Sequence, residues 1–250
     1  MVKIIISGIA GRMGKRIGIL ASENKDYEIT GALEFDGSPA VGKDIGEVLG
    51  TGNIGKKVQS DLDKIGAAGD VLIEFTASDV TIAHLEQAVE KKMPMVIGTT
   101  ALSSQQVEKI HKASKDIPVV FSPNMSIGAN LLFKITEQAA RILGKGYDAE
   151  IVEAHHDKKK DAPSGTAKRL GESVFNSNGK VPPIHSIRLG DIAGDHTVIF
   201  AGNGERIELT HRAHSRDAFA KGALDAAKFL TAKKSGLYGM QDVIQSNQKQ

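Results

Sequence analysis

A short apolar run, Val2 to Ser7, breaks at Gly8, Gly11 and Gly14 and continues as helical spacing at Ile17, Leu20 and Ala21. No other stretch narrows the possible folds as much. A strand that turns into a helix through glycines lets backbone approach a ligand closely, because no Cβ stands in the way. The amides at that helix start carry the positive end of the helix dipole, which suits a pyrophosphate. The spacing is G-x-x-G-x-x-G, with Ala10 in place of the second glycine of the commoner form, so the turn alone is a modest signal. Its setting strengthens it. A second strand, Tyr27 to Leu33, ends at Glu34, twenty residues past Gly14, where a carboxylate can accept both hydroxyls of an adenosine ribose.

The alternation continues. Val71 to Phe75, Met95 to Ile97 and Ile117 to Phe121 read as strands, with helices over Val80 to Lys91 and from Ser103 or Ser104 to Lys115. Strands alternating with helices imply a parallel sheet with right-handed crossovers, and ligands bind such sheets at the carboxyl ends of the strands. The small polar strand ends, Thr76, Gly98-Thr99-Thr100 and Ser122-Pro123-Asn124, all fall on that rim. The glycine-rich segment from Gly37 to Gly55 has no periodicity and reads as a loop.

The second half changes character. Ile127 to Leu143 predicts a long helix with Ile127, Leu131, Ile135, Ala139 and Ile142 as its packed face. A strand from Tyr147 to Ala154 follows, then a helix opening at Ser164. Ile184 to Leu189, Thr197 to Ala201 and Arg206 to Thr210 are strand-like, joined by short glycine-containing links that suit an antiparallel or mixed sheet. Arg216 to Leu230 returns to a helix with Phe219, Ala223, Ala226, Ala227 and Leu230 inward, and Leu237 to Ile244 carries no clear pattern. The expected fold class is α/β with two domains. Residues 1–126 with 216–250 form a Rossmann-like parallel-sheet dinucleotide-binding domain, and residues 127–215 an α+β mixed-sheet substrate domain.

The chemistry concentrates in Glu153 to Thr166, which reads E-A-H-H-D-K-K-K-D-A-P-S-G-T. Adjacent strand residues point to opposite faces, so His155 and His156 cannot share a pocket unless the chain bends. Ser164 is a natural N-cap, which leaves the Gly165 and Thr166 amides at the positive end of a helix packed through Ala167, Leu170, Gly171, Val174 and Phe175. A proton donor, cations and an anion cradle thus fall within one short segment. Lys158 and Lys160 read as solvated neighbours of Lys159.

Composition removes several alternatives. The absence of cysteine excludes disulfides, thiolate zinc sites and a cysteine nucleophile. Lys+Arg 32 against Asp+Glu 30 leaves no basic footprint for nucleic acid or a membrane surface. No apolar run approaches the roughly 18 residues of a membrane span, and the chain enters a strand without a charged-then-apolar leader, so the cytoplasm is the expected compartment. His211 and His214, taken with His155 and His156, have no Asp or Glu at a recognised ligand spacing, so no metal is expected.

With G-I-A-G-R-M-G near its start and the His-His to Ser-Gly-Thr run, the chain resembles the dihydrodipicolinate reductases of bacterial lysine biosynthesis, whose substrate is 4-hydroxy-tetrahydrodipicolinate. The resemblance extends through Val96-Ile97-Gly98-Thr99-Thr100, Gly190-Asp191, Gly194-Asp195-His196-Thr197 and Ser235-Gly236-Leu237. It implies an NAD(P)H-dependent oxidoreductase acting on a small dicarboxylate, assembled as a homotetramer through the sheet of the second domain. It further implies proton donation at His155 and Lys159, and substrate contacts at His156, Gly165 and Thr166. Cofactor contacts are implied at Gly8, Ile9, Ala10, Gly11, Arg12 and Met13, at Glu34, at Gly98, Thr99 and Thr100, and at Ser122, Pro123, Asn124 and Met125. Which of His155 and Lys159 gives the proton is open at this point. Many relatives carry a basic residue after the glutamate, which would meet the 2′-phosphate of NADPH. Phe35 stands there instead, so NADH is expected to serve at least as well as NADPH.

Overall fold

The computed structural model describes residues 1–66 and 69–247. In chain order the elements are β1 (Val2–Ser7), α1 (Arg12–Ser22), β2 (Tyr27–Leu33), α2 (Ile45–Leu49), β3 (Val71–Glu74), α3 (Ser78–Glu90), β4 (Met95–Ile97), α4 (Ser104–Ala113) and β5 (Pro118–Phe121). There follow α5 (Ile127–Leu143), β6 (Asp148–His155), α6 (Gly165–Asn178), β7 (Ile184–Arg188), β8 (Gly194–Gly202) and β9 (Glu205–Ala213). The chain closes with α7 (Asp217–Leu230), β10 (Gly236–Tyr238) and α8 (Met240–Asn247). These fall into two compact units, Met1–Met125 with Phe219–Gln250, and Ser126–Ala218.

The first unit is a parallel sheet in the order β10-β5-β4-β3-β1-β2. Its inner strands are buried on both faces, so they are apolar at consecutive positions: Ile4, Ile5 and Ile6 on β1 and Val71, Leu72 and Ile73 on β3 are all 0% exposed. The strand order reverses at β1, with β2 on one side and β3 on the other. A reversal of this kind leaves a crevice at the carboxyl ends, and β1 ends there in the glycine turn.

The second unit is a mixed sheet, β7-β6-β8-β9, with β7 parallel to β6 and the other pairs antiparallel. One face packs against α5 and α6 through Ile151, Val198 and Phe200 with Leu132, Ala140, Leu170 and Val174. Burial along β8 therefore alternates, His196, Val198 and Phe200 inward and their neighbours outward.

Four expectations change. On α6, Phe175 is 48% exposed rather than on the packed face. On α5 the buried residues are Ala129, Asn130, Leu132, Thr136 and Ala140, while Leu131, Ile135 and Ile142 are 46%, 38% and 83% exposed. Close packing of α5 on α6 favours small side chains, and that stripe ranks low on hydrophobicity alone. The segment from Gly37 to Gly55 holds α2, capped by the Asp44 carboxylate, which accepts from the Gly46, Ile54 and Lys56 amides at 2.8, 3.0 and 3.1 Å. A helix of five residues is too short to show a period. The unassigned tail contributes β10, which pairs with β5, and α8.

Candidate active site

At the first rim, Gly8 has φ +74°, and a Cβ on it would stand 3.0 Å from Thr76 Cγ2. A Cβ on Gly14 would stand 2.1 Å from the Gly8 carbonyl oxygen, so no side chain fits at that position. The Gly8 and Ile9 amides donate to the Leu33 carbonyl at 2.9 and 3.2 Å, and the Ala10 amide donates to Glu34 Oε2 at 2.9 Å. The turn is thus tied to the end of β2, and the half-buried Glu34 carboxylate is fixed beside it. No side chain caps α1 and none of its first-turn residues is acidic. By contrast Ser103, Ser126 and Ser164 cap α4, α5 and α6. A glycine cradle that a Cβ would fill, leading into an uncapped helix, fits a dinucleotide pyrophosphate.

The rest of this rim is fastened from below. Glu74, 0% exposed at the end of β3, takes the Thr76 amide at 2.9 Å, the Thr76 hydroxyl and His84 Nδ1 at 2.6 Å. Ser7 Oγ lies 3.2 Å from the same histidine nitrogen. The Phe75–Thr76 corner so fixed is what Gly8 packs against, and a Cβ on Gly98 would stand 2.2 Å from the Phe75 ring. Thr99 and Thr81 share a hydrogen bond at 2.7 Å, and the Ser122 hydroxyl donates to the Asn124 carbonyl at 2.8 Å. Gly8–Met13, Glu34, Gly98–Thr100 and Ser122–Met125 therefore all border the carboxyl rim of one sheet. Two residues past Glu34, at Asp36, begins a cleft of about 540 Å³ that also carries Asp61, Glu86, Glu90, Lys64 and His84.

The second unit holds the His155–His156 pair. His155 is the last residue of β6 and is buried, whereas His156 has left the strand and donates its amide to the Ile192 carbonyl at 2.8 Å. Glu153, two residues earlier on the same face, is 0% exposed. Its Oε2 accepts from His155 Nδ1 at 2.5 Å and Arg188 Nη1 at 2.9 Å, and its Oε1 from Arg188 Nη2 at 2.8 Å and the Ser164 amide at 3.1 Å. With Nδ1 engaged, Nε2 is the His155 atom left for chemistry, beside Gly194. A Cβ on Gly194 would stand 3.1 Å from that nitrogen.

The Ser164 hydroxyl accepts from the Ala167 amide at 3.1 Å, which caps α6, and meets His196 Nε2 at 3.0 Å. Lys159 Nζ donates to Asp161 at 2.8 Å in the loop between β6 and α6, while Lys158 and Lys160 are exposed. At Gly165, the first residue of α6, a Cβ would meet nothing within 4 Å. Packing therefore does not account for glycine there.

Burial and charge sort these groups. Burial alone would raise the Glu153 carboxyl, but hydrogen bonds led by Arg188 bring it down to about 2, so it is an anion. Burial pushes His155 below its ordinary value while Glu153 opposes that, and the positive charges of Lys159 and Arg188 add to the depression. Burial, with the charge of His155 behind it, pushes His196 down to about 3 and keeps it neutral. His211 lies across from His196 in the ladder and bonds Ser126 Oγ at 3.3 Å. Among the described residues no group of three His, Asp or Glu is arranged to hold a metal ion.

Residues 2–125 match the family described as "Dihydrodipicolinate reductase, N-terminus", and residues 128–244 match "Dihydrodipicolinate reductase, C-terminus". The chain belongs to the dihydrodipicolinate reductase family. The 4-hydroxy-tetrahydrodipicolinate reductase of Syntrophus aciditrophicus is 45% identical over 264 aligned positions, covering 98% of each chain. That of Geotalea uraniireducens is 46% identical over 98% of this chain and 99% of its own. Dipicolinate-bound dihydrodipicolinate reductase from Paenisporosarcina sp. TG-14 has a TM-score of 0.81 over 97% of this chain and 99% of its own, at 23% identity. A myo-inositol dehydrogenase from Corynebacterium glutamicum reaches 0.63 over 99% and 94%, at 14% identity. At such identities the two structures speak for the fold.

The segment from His155 to Thr166 lies wholly within the second unit. Sequence reasoning gave no role to Glu153, Arg188, His196, Glu74 or His84. A glutamate two residues before a histidine on a strand shares its face, and that was the available signal for Glu153. Gly165→Val should leave thermal stability within about 0.5 kcal/mol, as at surface positions generally. The same change should weaken binding of dipicolinate, read by calorimetric titration. Unchanged affinity would show that the α6 start is not an anion site.

Proposed function

We propose that this chain reduces 4-hydroxy-tetrahydrodipicolinate to tetrahydrodipicolinate with NADH or NADPH, His155 delivering the proton. A bound nicotinamide supplies the hydride. Gly8–Met13 would hold the pyrophosphate, Glu34 the adenosine ribose, and Gly98–Thr100 with Ser122–Met125 the nicotinamide end. In the second unit, the Gly165 and Thr166 amides would anchor one substrate carboxylate at the start of α6, with Lys159 adding charge and His156 a further contact.

The observation that carries this reading is the 2.5 Å contact between His155 Nδ1 and a Glu153 carboxylate that is itself fully buried. Such a partner fixes the tautomer, stabilises the imidazolium and directs Nε2–H outward as the deliverable proton. Lys159, its ammonium paired with Asp161, suits an electrostatic anchor better than a proton source. Assembly through the face of the second sheet not covered by α5 and α6 belongs to the same proposal, and a sedimentation mass other than four chains would remove that part.

His155→Ala should lower kcat by about 10²- to 10⁴-fold, the usual contribution of a positioned acid, with the cofactor Kd unchanged. An acid must be protonated to act, so the rate should fall as pH rises through the His155 pKa. Burial holds that value below the ordinary 6.5 in the free protein. A bound dicarboxylate brings negative charge and opposes the shift, so the alkaline limb of kcat should lie at higher pH than that of kcat/KM. A His155→Ala enzyme with near-normal kcat would end the assignment.

Cofactor choice follows from charge. Glu34 is fixed beside the turn by the Ala10 amide, and Asp36, Asp61, Glu86 and Glu90 line the adjoining cleft with a single lysine, Lys64. A 2′-phosphate there meets like charge, and the 65% exposed Phe35 offers it no cation. NADH should therefore serve at least as well as NADPH. Phe35→Arg should move the ratio of kcat/KM values toward NADPH by about 1.5–3 kcal/mol, the scale of a hydrogen bond to a charged group. A hundredfold wild-type preference for NADPH would contradict this.

A further inference from the structure

We propose that Arg188, on β7, is a positioning residue of the proton-delivering site: its guanidinium locks the Glu153 carboxylate and the lysine loop into one frame, so that His155 and Lys159 are presented together. Both terminal nitrogens grip Glu153, at 2.8 and 2.9 Å, in the bidentate geometry that only a planar fork provides. Nη2 also donates to the Asp161 carbonyl at 2.5 Å, and Nη1 to the Ile187 carbonyl at 2.7 Å. The Asp161 side chain in turn holds Lys159 Nζ at 2.8 Å. Through Glu153 the same grip reaches His155 Nδ1 and the Ser164 amide that opens α6. One side chain therefore links the proton donor, the loop cation and the helix start. The guanidinium reaches all three from β7, which lies beyond them in the chain.

Given His155 as the acid, Arg188 also acts on its charge. The charged and titratable groups facing His155 are Glu153 on its own strand, Lys159 and Asp161 on the loop, Arg188 on β7 and His196 on β8, and α6 presents the uncharged Ser164. Of these, Arg188 and Lys159 disfavour the imidazolium and Glu153 favours it. Removing the guanidinium leaves the Glu153 anion with His155 as its nearest cationic partner. The proton then binds His155 more tightly, and its delivery is less well aimed.

The test uses the full chain carrying Arg188→Met or Arg188→Lys, with His155→Asn as the reference. Melting curves and NADH binding establish folding. The readouts are pH profiles of kcat and the titration of His155 by ¹³C-histidine NMR. Arg188→Met should lower plateau kcat by about a hundredfold, the loss expected from a misplacement of about 1 Å, and move the alkaline limb and the His155 titration to higher pH. Arg188→Lys restores the charge but not the fork, so the limb should return while part of the kcat loss remains. A uniform loss in both variants with the His155 titration in place, or wild-type kcat in Arg188→Met, would overturn the proposal. If Arg188→Met does not fold, wild-type kcat in Arg188→Lys would overturn it, and a reduced kcat with unchanged NADH binding would support it. Should the limb persist in His155→Asn, His155 is not the acid. That outcome is separate from whether Arg188 moves the His155 titration.

Discussion

A carboxylate with no solvent exposure is the constraint on which the second unit turns. Burying an ion costs several kcal/mol unless other groups replace its hydration, and removing one partner of such a pair typically costs about 3–5 kcal/mol. Glu153 sits inside the sheet and helix layer with four donors around its two oxygens. These donors come from three segments: the end of β6, the start of α6, and β7, which supplies both arms of one guanidinium. Satisfying one charge therefore fixes the relative placement of three chain segments. The histidine ring and the helix start are placed by that requirement.

The first unit uses the same device on a different sheet. Glu74 ends β3 with no exposed surface and is held by the Thr76 backbone and hydroxyl and by His84. The corner it fixes is the surface that Gly8 approaches, and the Phe75 ring occupies the space a side chain at Gly98 would need. Glycine alone permits a tight turn; it does not hold one in place, because it is the residue with the most backbone freedom to lose. The buried carboxylate beneath supplies the rigidity that the glycines lack, and the cradle is preformed.

Legibility in the sequence followed the range of the interactions. The glycine turn, the parallel alternation and the cap at Ser164 are local, and each appears in the structure at the residues that imply it. The packed side of α5 was misjudged because large apolar residues lie on its outside and alanine, threonine and asparagine on its inside. Apolar periodicity reports hydrophobicity, whereas close helix packing selects for size. Three-residue β10 exists by pairing with β5, and nothing within it announces a strand. Arg188 lies 35 residues from Glu153 and meets it through the parallel β6–β7 register, where its own cross-strand partner is His155. Ionic partners chosen by sheet register leave no spacing signature in the sequence.

The two buried histidines show how far one carboxylate can divide identical side chains. The rings of His155 and His196 stand 5.1 Å apart at 74°. His196 Nε2 shares a hydrogen bond with the Ser164 hydroxyl at 3.0 Å, and the same oxygen accepts the Ala167 amide. With no anion at hydrogen-bond distance, burial drives it to about 3 and it stays neutral. His155 suffers the same desolvation, but the Glu153 carboxylate at Nδ1 offsets part of it and gives an imidazolium somewhere to rest. Environment thus assigns one histidine to structure and leaves the other able to gain and lose a proton. The difference resides in which ring faces Glu153, not in the residue type.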